Sequence, residues 1–82
     1  MTHTYHPKGV CSRQITFDID ENGCVRNVSF YGGCNGNTQG LARLAEGMDA
    51  NELVARLRGI RCGMRTTSCP DQLATAVEKA LK

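Results

Sequence analysis

Between Ser12 and Asp20 the chain alternates, with Ile15, Phe17 and Ile19 on one side and Gln14, Thr16 and Asp18 on the other. A period of two marks a strand with one buried face. Asn22-Gly23 follows, a pair that tolerates the positive φ angles of a type I′ hairpin turn. From Cys24 to Tyr31 the alternation resumes, with Val28 and Phe30 on one face and Asn27 and Ser29 on the other. By the same parity Cys24 joins Val28 and Phe30. Residues 12–31 therefore predict an antiparallel hairpin. The polar residues 1–9, with Pro7 and Gly9, leave room for an N-terminal edge strand.

The period changes after Tyr31. Gly32-Gly33-Cys34-Asn35-Gly36-Asn37 breaks the strand, since glycine and asparagine permit backbone paths closed to other residues. A helix over 38–46 fits next, with Leu41, Leu44 and Ala45 on its apolar face and Gly47 as its stop. Asp49 and Glu52 stand three apart in the pattern of a capping box, opening a helix through Arg58. Leu53, Val54 and Leu57 form its buried side, and Gly59 supplies the C-terminal stop. After a loop over 60–68, Thr67-Ser68-Cys69-Pro70-Asp71 starts a last helix. Pro70 suits the first helical turn, and Asp71 complements the positive end of the helix dipole. Leu73, Val77, Ala80 and Leu81 give this helix an apolar stripe. A small antiparallel sheet followed by three helices packed on one face is an α+β architecture. One domain over 1–82 contains it.

Eighty-two residues bury a thin core, so five cysteines are the feature of the composition that needs an explanation. Ten basic and eight acidic residues leave a formal charge of +2, too balanced for electrostatic binding of nucleic acid or of a membrane surface. No apolar run reaches the roughly twenty residues that span a bilayer, and the first residues lack the apolar stretch of a signal peptide. The expectation is a protein of the reducing cytoplasm, where structural disulfides do not persist. Its cysteines are then core filler, metal ligands or reactive thiols.

The spacing of Cys11, Cys24, Cys34, Cys62 and Cys69 contains no C-x-x-C pair, so neither a zinc ribbon nor a thioredoxin signature is present. Placement is more informative. Cys11 falls where the first long strand begins, Cys34 in the glycine-rich turn, Cys62 in the loop between helices, and Cys69 at the start of the last helix. Helix N-termini stabilise thiolates, and Arg61 and Arg65 flank Cys62 and offset thiolate charge. Four thiolates around one ion would staple the thin core. Cys24, inside a strand, keeps the ordinary role of cysteine as a small buried hydrophobe. His3 and His6 form an H-x-x-H pair in the leading segment and read as bystanders. No Ser-His-Asp set, paired carboxylates or P-loop occurs.

The string Thr67-Ser68-Cys69-Pro70-Asp71, together with Gly9-Val10-Cys11-Ser12, Gly32-Gly33-Cys34-x-Gly36-Asn37 and Gly59-Ile60-x-Cys62-Gly63, resembles the TSCPD domain family over essentially the whole chain. The chain looks like its small stand-alone members with four cysteines. That resemblance implies the site Cys11, Cys34, Cys62 and Cys69 and leaves Cys24 outside it. Related domains end the cobalamin-dependent (class II) ribonucleotide reductases. A looser likeness links the chain to iron–sulfur scaffold proteins of the IscU/NifU type, whose three ligand cysteines Cys11, Cys34 and Cys69 resemble in position. Ser12-Arg13 stands where the scaffolds carry an aspartate, and Ser68 where they carry a histidine.

The expected function is a small cytoplasmic metal-binding domain whose four thiolates hold zinc, with an iron–sulfur cluster as the other occupant of the same ligand set. The alternative is a redox or accessory module related to the C-terminal domain of cobalamin-dependent ribonucleoside-diphosphate reductase, in deoxyribonucleotide synthesis. On either reading the chain is not expected to be an enzyme alone. Expected partners exclude membrane and nucleic acid. They include a second copy in a homodimer, a ribonucleotide reductase, or a metal- or sulfur-handling protein.

Overall fold

The computed structural model describes residues 2–7, 12–32, 35–61 and 67–81. Three strands form one antiparallel sheet in the order β1 (Thr2–Tyr5), β2 (Ser12–Ile19), β3 (Val25–Gly32). Three helices follow and pack against it: α1 (Asn35–Ala45), α2 (Ala50–Leu57) and α3 (Cys69–Ala80). The α+β reading holds, and the N-terminal segment does supply an edge strand, with Thr4 paired to Thr16 and Tyr5 to Ile15. One core joins the layers: Ile15 and Phe17 of β2, Val25 of β3, Ala50 and Leu53 of α2, Leu73 and Val77 of α3. Among the described residues no helix is long and apolar enough to cross a membrane.

The hairpin turn departs from the type I′ expectation. Gly23 alone takes a positive φ (79°), its N–H donates to the Asp20 carbonyl (3.0 Å), and Asp20 N–H donates to the Cys24 carbonyl (2.9 Å). This is a three-residue connection with the glycine in the left-handed region, the next most common hairpin solution. Asp20 favours it by accepting the N–H groups of Asn22 and Cys24 on its carboxylate, each at 2.9 Å.

A second departure follows inside β3. Asn27 has φ of 54°, and the register slips between Thr16 and Asp18 of β2. The extra residue of a bulge reverses the parity of the strand on either side of it. Val25, fully buried, therefore shares the core side with Val28 and Phe30. Cys24 does not. It is only partly buried and makes an isolated bridge to Asp49. The prediction that Cys24 shares the face of Val28 and Phe30 fails because it counted through the bulge.

Helix α1 begins three residues earlier than predicted, at Asn35. Glycine and asparagine cost little in a first turn, where N–H groups lack intrahelical partners anyway. Its buried stripe runs through Thr38, Leu41 and Ala45, while Leu44, predicted inward, is 75% exposed. Leu44 lies about 100° around the helix from Ala45, beyond the stripe. Gly47 ends the turn with φ of 80°, and its N–H donates to the Val25 carbonyl at 2.7 Å. Helix α1 thus runs antiparallel to β3, and its C-terminal end is tied to that strand's start.

Asp49 caps α2 as predicted, accepting the Glu52 N–H at 3.1 Å. Glu52 turns outward to Arg56 (3.0 Å). Helix α3 starts with Cys69 and Pro70 in its first two positions and Ser68 as its cap. Leu73 and Val77 are buried as predicted, whereas Leu81, at the C-cap, is 42% exposed.

Candidate metal centre

Of the four predicted ligand cysteines, the described residues include Cys69. Cys11, Cys34 and Cys62 lie outside them. Among the described residues no three His, Cys, Asp or Glu side chains gather as a metal group. Cys69 is buried, with 7% exposure, in the first turn of α3.

The neighbourhood of Cys69 is built by side chains on both of its flanks. Ser68 donates its hydroxyl to the Ile60 carbonyl (2.6 Å) and accepts the Asp71 N–H (3.2 Å). Asp71 accepts the Gly59 N–H on one carboxylate oxygen (2.7 Å) and the Thr67 hydroxyl on the other. Thr67 in turn accepts from the Gln72 amide (3.0 Å). The Thr67 hydroxyl, then the Gly59 amide and the nearby Arg58 charge hold the Asp71 carboxyl below its ordinary value of 3.8. Gly59 has φ of 87°, which a glycine adopts without strain, and its N–H is the group that Asp71 accepts. Arg58 closes the outer side on Glu78 at 2.5 Å.

Sequence reasoning assigned Asp71 to the helix dipole and Ser68 to nothing in particular. Both reach back across 8 to 12 residues to the end of α2. The signal that could have found them is the string Thr67-Ser68-x-Pro70-Asp71 itself. It spaces two hydroxyls and a carboxylate around a helix start.

At the other end of the sheet ladder Ser12 pairs with Gly32. His3 stacks on Phe17, with centroids 5.3 Å apart, and is engaged in packing; His6 is exposed. Cys24, a free thiol, donates its N–H to Asp20. A groove of about 430 Å³ opens between α1 and α2 beside the exposed Leu44. Arg56 is the one charged residue lining it, and the rest of the lining is apolar. That lining gives it no reactive or ligating set.

A three-stranded antiparallel sheet with three helices against it, and a cysteine seated at a hydrogen-bonded helix junction, defines the class of small α+β domain described above. Within that class, the TSCPD domain family model matches residues 1–81, and the chain belongs to this family. No curated protein matches the chain, and no solved structure does.

Proposed function

We propose that this TSCPD domain is a metal-binding module of the reducing cytoplasm whose Cys11, Cys34, Cys62 and Cys69 thiolates share one ion. The observation that carries the reading is the seating of Cys69. It is buried at a helix start, one residue past a serine that clamps Ile60, and Cys62 follows Ile60 by two residues. Support for the other pair comes from the Ser12–Gly32 register, since Cys11 precedes Ser12 by one residue and Cys34 follows Gly32 by two. Four sulfurs suit zinc in tetrahedral geometry, and an iron–sulfur cluster takes the same donor set. A bound ion would cross-link a chain short enough to benefit from one. The likeness to IscU/NifU scaffolds, in the order of elements and the positions of the cysteines, is a likeness of fold and is not carried over to scaffold function.

The second reading, a dithiol module serving ribonucleotide reduction, draws on the same cysteines and on the family's relation to larger reductases. Any reductase reaction would belong to those larger proteins or to a partner. Elemental analysis and an absorption spectrum of untagged protein prepared without oxygen separate the two. The expected result is about one zinc per chain and no visible band. Iron with sulfide and a visible band would replace zinc by a cluster. Thiol titration that finds no metal, and two thiols that oxidise reversibly, would overturn the metal reading in favour of the redox module.

A further inference from the structure

We infer that the groove between α1 and α2 is the contact face for a second copy of this chain, the two copies being related by a two-fold axis. No cysteine and no metal enters into it. Leu44, 75% exposed, stands at the rim of the groove of about 430 Å³, whose walls include Leu41, Met48, Leu53 and Leu57. One face therefore carries both an apolar knob and an apolar hollow. A two-fold contact sets one patch against itself, so each copy must supply both halves, and this face does. Exposed apolar surface of this kind marks places where a protein meets a partner.

The charges decide the occupant. Arg56 is the one charged residue in the lining, and its Nε and Nη2 both donate to Glu52 Oε1, at 3.2 and 3.0 Å. An anionic ligand would have to compete with that carboxylate for the guanidinium. A second copy has no such conflict. Two α2 helices placed antiparallel about an axis beside Val54 set Glu52 of each copy against Arg56 of the other. The rim is therefore complementary to itself in charge, as Leu44 and the groove are in shape. The Arg56 and Glu52 side chains are 65% and 52% exposed, which leaves both able to reach across. Charges at a rim fix register and partner more than they add affinity. Burial of Leu44 against the groove walls supplies the driving force.

The test is the mass of the full-length chain in solution, by light scattering over a concentration series under reductant. Wild type should approach twice the mass of one chain as concentration rises. Leu44→Glu changes an exposed position, so circular dichroism should show the fold intact, while dimerisation weakens by about tenfold or more from the charge it would bury. Glu52→Arg and Arg56→Glu each set like charges across the axis and should each dimerise about tenfold more weakly. Mixed in equal amounts, these two variants should associate better than either alone, because each carries the charge the other lacks. A purely intrahelical role for the pair predicts no rescue on mixing, since neither helix regains its own partner. Wild type that keeps the mass of one chain at every concentration overturns the proposal. A dimer that Leu44→Glu leaves within about twofold of wild type uses another surface and also overturns it. Failure of the mixed variants to associate overturns the antiparallel arrangement. A wild-type monomer whose α1 and α2 amide signals shift with an added fatty acid or acidic amphipathic peptide gives the groove that occupant in place of a second copy.

Discussion

The turn end of the hairpin and the junction of α2 with α3 solve the same problem, tying distant segments together, by different means. At the turn end the ties are mostly backbone to backbone. Val25 N–H donates to Met48 (2.8 Å), Gly47 N–H to Val25 (2.7 Å), and Ala50 N–H to Gly23 (2.9 Å). Arg26 adds an outer layer by pairing with Asp20 (3.1 Å) and Glu46 (3.4 Å). At the junction the ties run through the side chains of Ser68, Thr67 and Asp71. Backbone ties tolerate nearly any sequence. Side-chain ties depend on particular residues, and the residues concerned surround Cys69.

Helix α2 connects the two regions, starting at the turn end through Ala50 and ending at the junction through Gly59. Leu53, with no exposed surface, is its deepest anchor. Leu53→Ala is therefore expected to have the largest effect, about 2–5 kcal/mol of lost stability, through the cavity it leaves. Whole-domain stabilities of roughly 0.05–0.15 kcal/mol per residue make this a large fraction of the total. Urea denaturation measures it, and both regions should lose amide protection together. A loss under about 1 kcal/mol would mean that the core closes without α2 and that the two regions are independently held.

The contrast between the regions also explains what the sequence disclosed and what it concealed. Local signals were legible: the alternation of Ile15, Phe17 and Ile19, the Asp49 cap, and the start of α3 signalled by Pro70 and Asp71 all depend on residues within one turn of each other. The bulge at Asn27 was not legible, because one residue of left-handed backbone leaves no mark on polarity while it inverts the faces of Val25 and Cys24. Leu44 misled for a similar reason. Its apolar character says nothing about which side of α1 the sheet occupies. The tie between Asp71 and Gly59 was hidden by distance, since the two are 12 residues apart and their bond exists only once α2 and α3 are packed. The four cysteines were picked by their positions at element ends, of which the start of α3 at Cys69 is observed.

A narrower break separates the regions. Ser68 is 4% exposed, caps α3 and grips Ile60. Ser68→Ala loses both roles, and we expect a cost of about 1–3 kcal/mol from the missing cap and the carbonyl left short of a donor. The location matters as much as the size. Hydrogen exchange should accelerate at residues 59–61, while the Val25 and Gly47 amides of the turn end keep their protection. Loss of protection at both ends would show that the junction is part of the fold's general support.

The smallest expected effect lies at the turn end and depends on pH. The backbone N–H of Cys24, then Arg26 and the backbone N–H of Asn22 hold the Asp20 carboxyl below its ordinary 3.8. The folded protein therefore binds this proton less readily than the unfolded chain does. Its contribution to stability is fully present well above 3.8 and is lost as pH falls through the lower, folded value. Wild type should show a level urea midpoint through the neutral range and a decline on the acid side of 3.8. Asp20→Asn cannot ionise, so its acid decline should be shallower. It retains an acceptor oxygen and lacks the charge that pairs with Arg26, so its neutral stability should be slightly lower. The site is exposed, and added salt should shrink the difference. In the same variant the Cys24 amide, which donates to Asp20 at 2.9 Å, should exchange faster while the Gly59 amide at the junction does not change. An acid decline as steep as that of wild type would shift the acid sensitivity from Asp20 to other carboxylates with lowered values. Asp18, held down by Thr2 and Asn27, is the next to substitute.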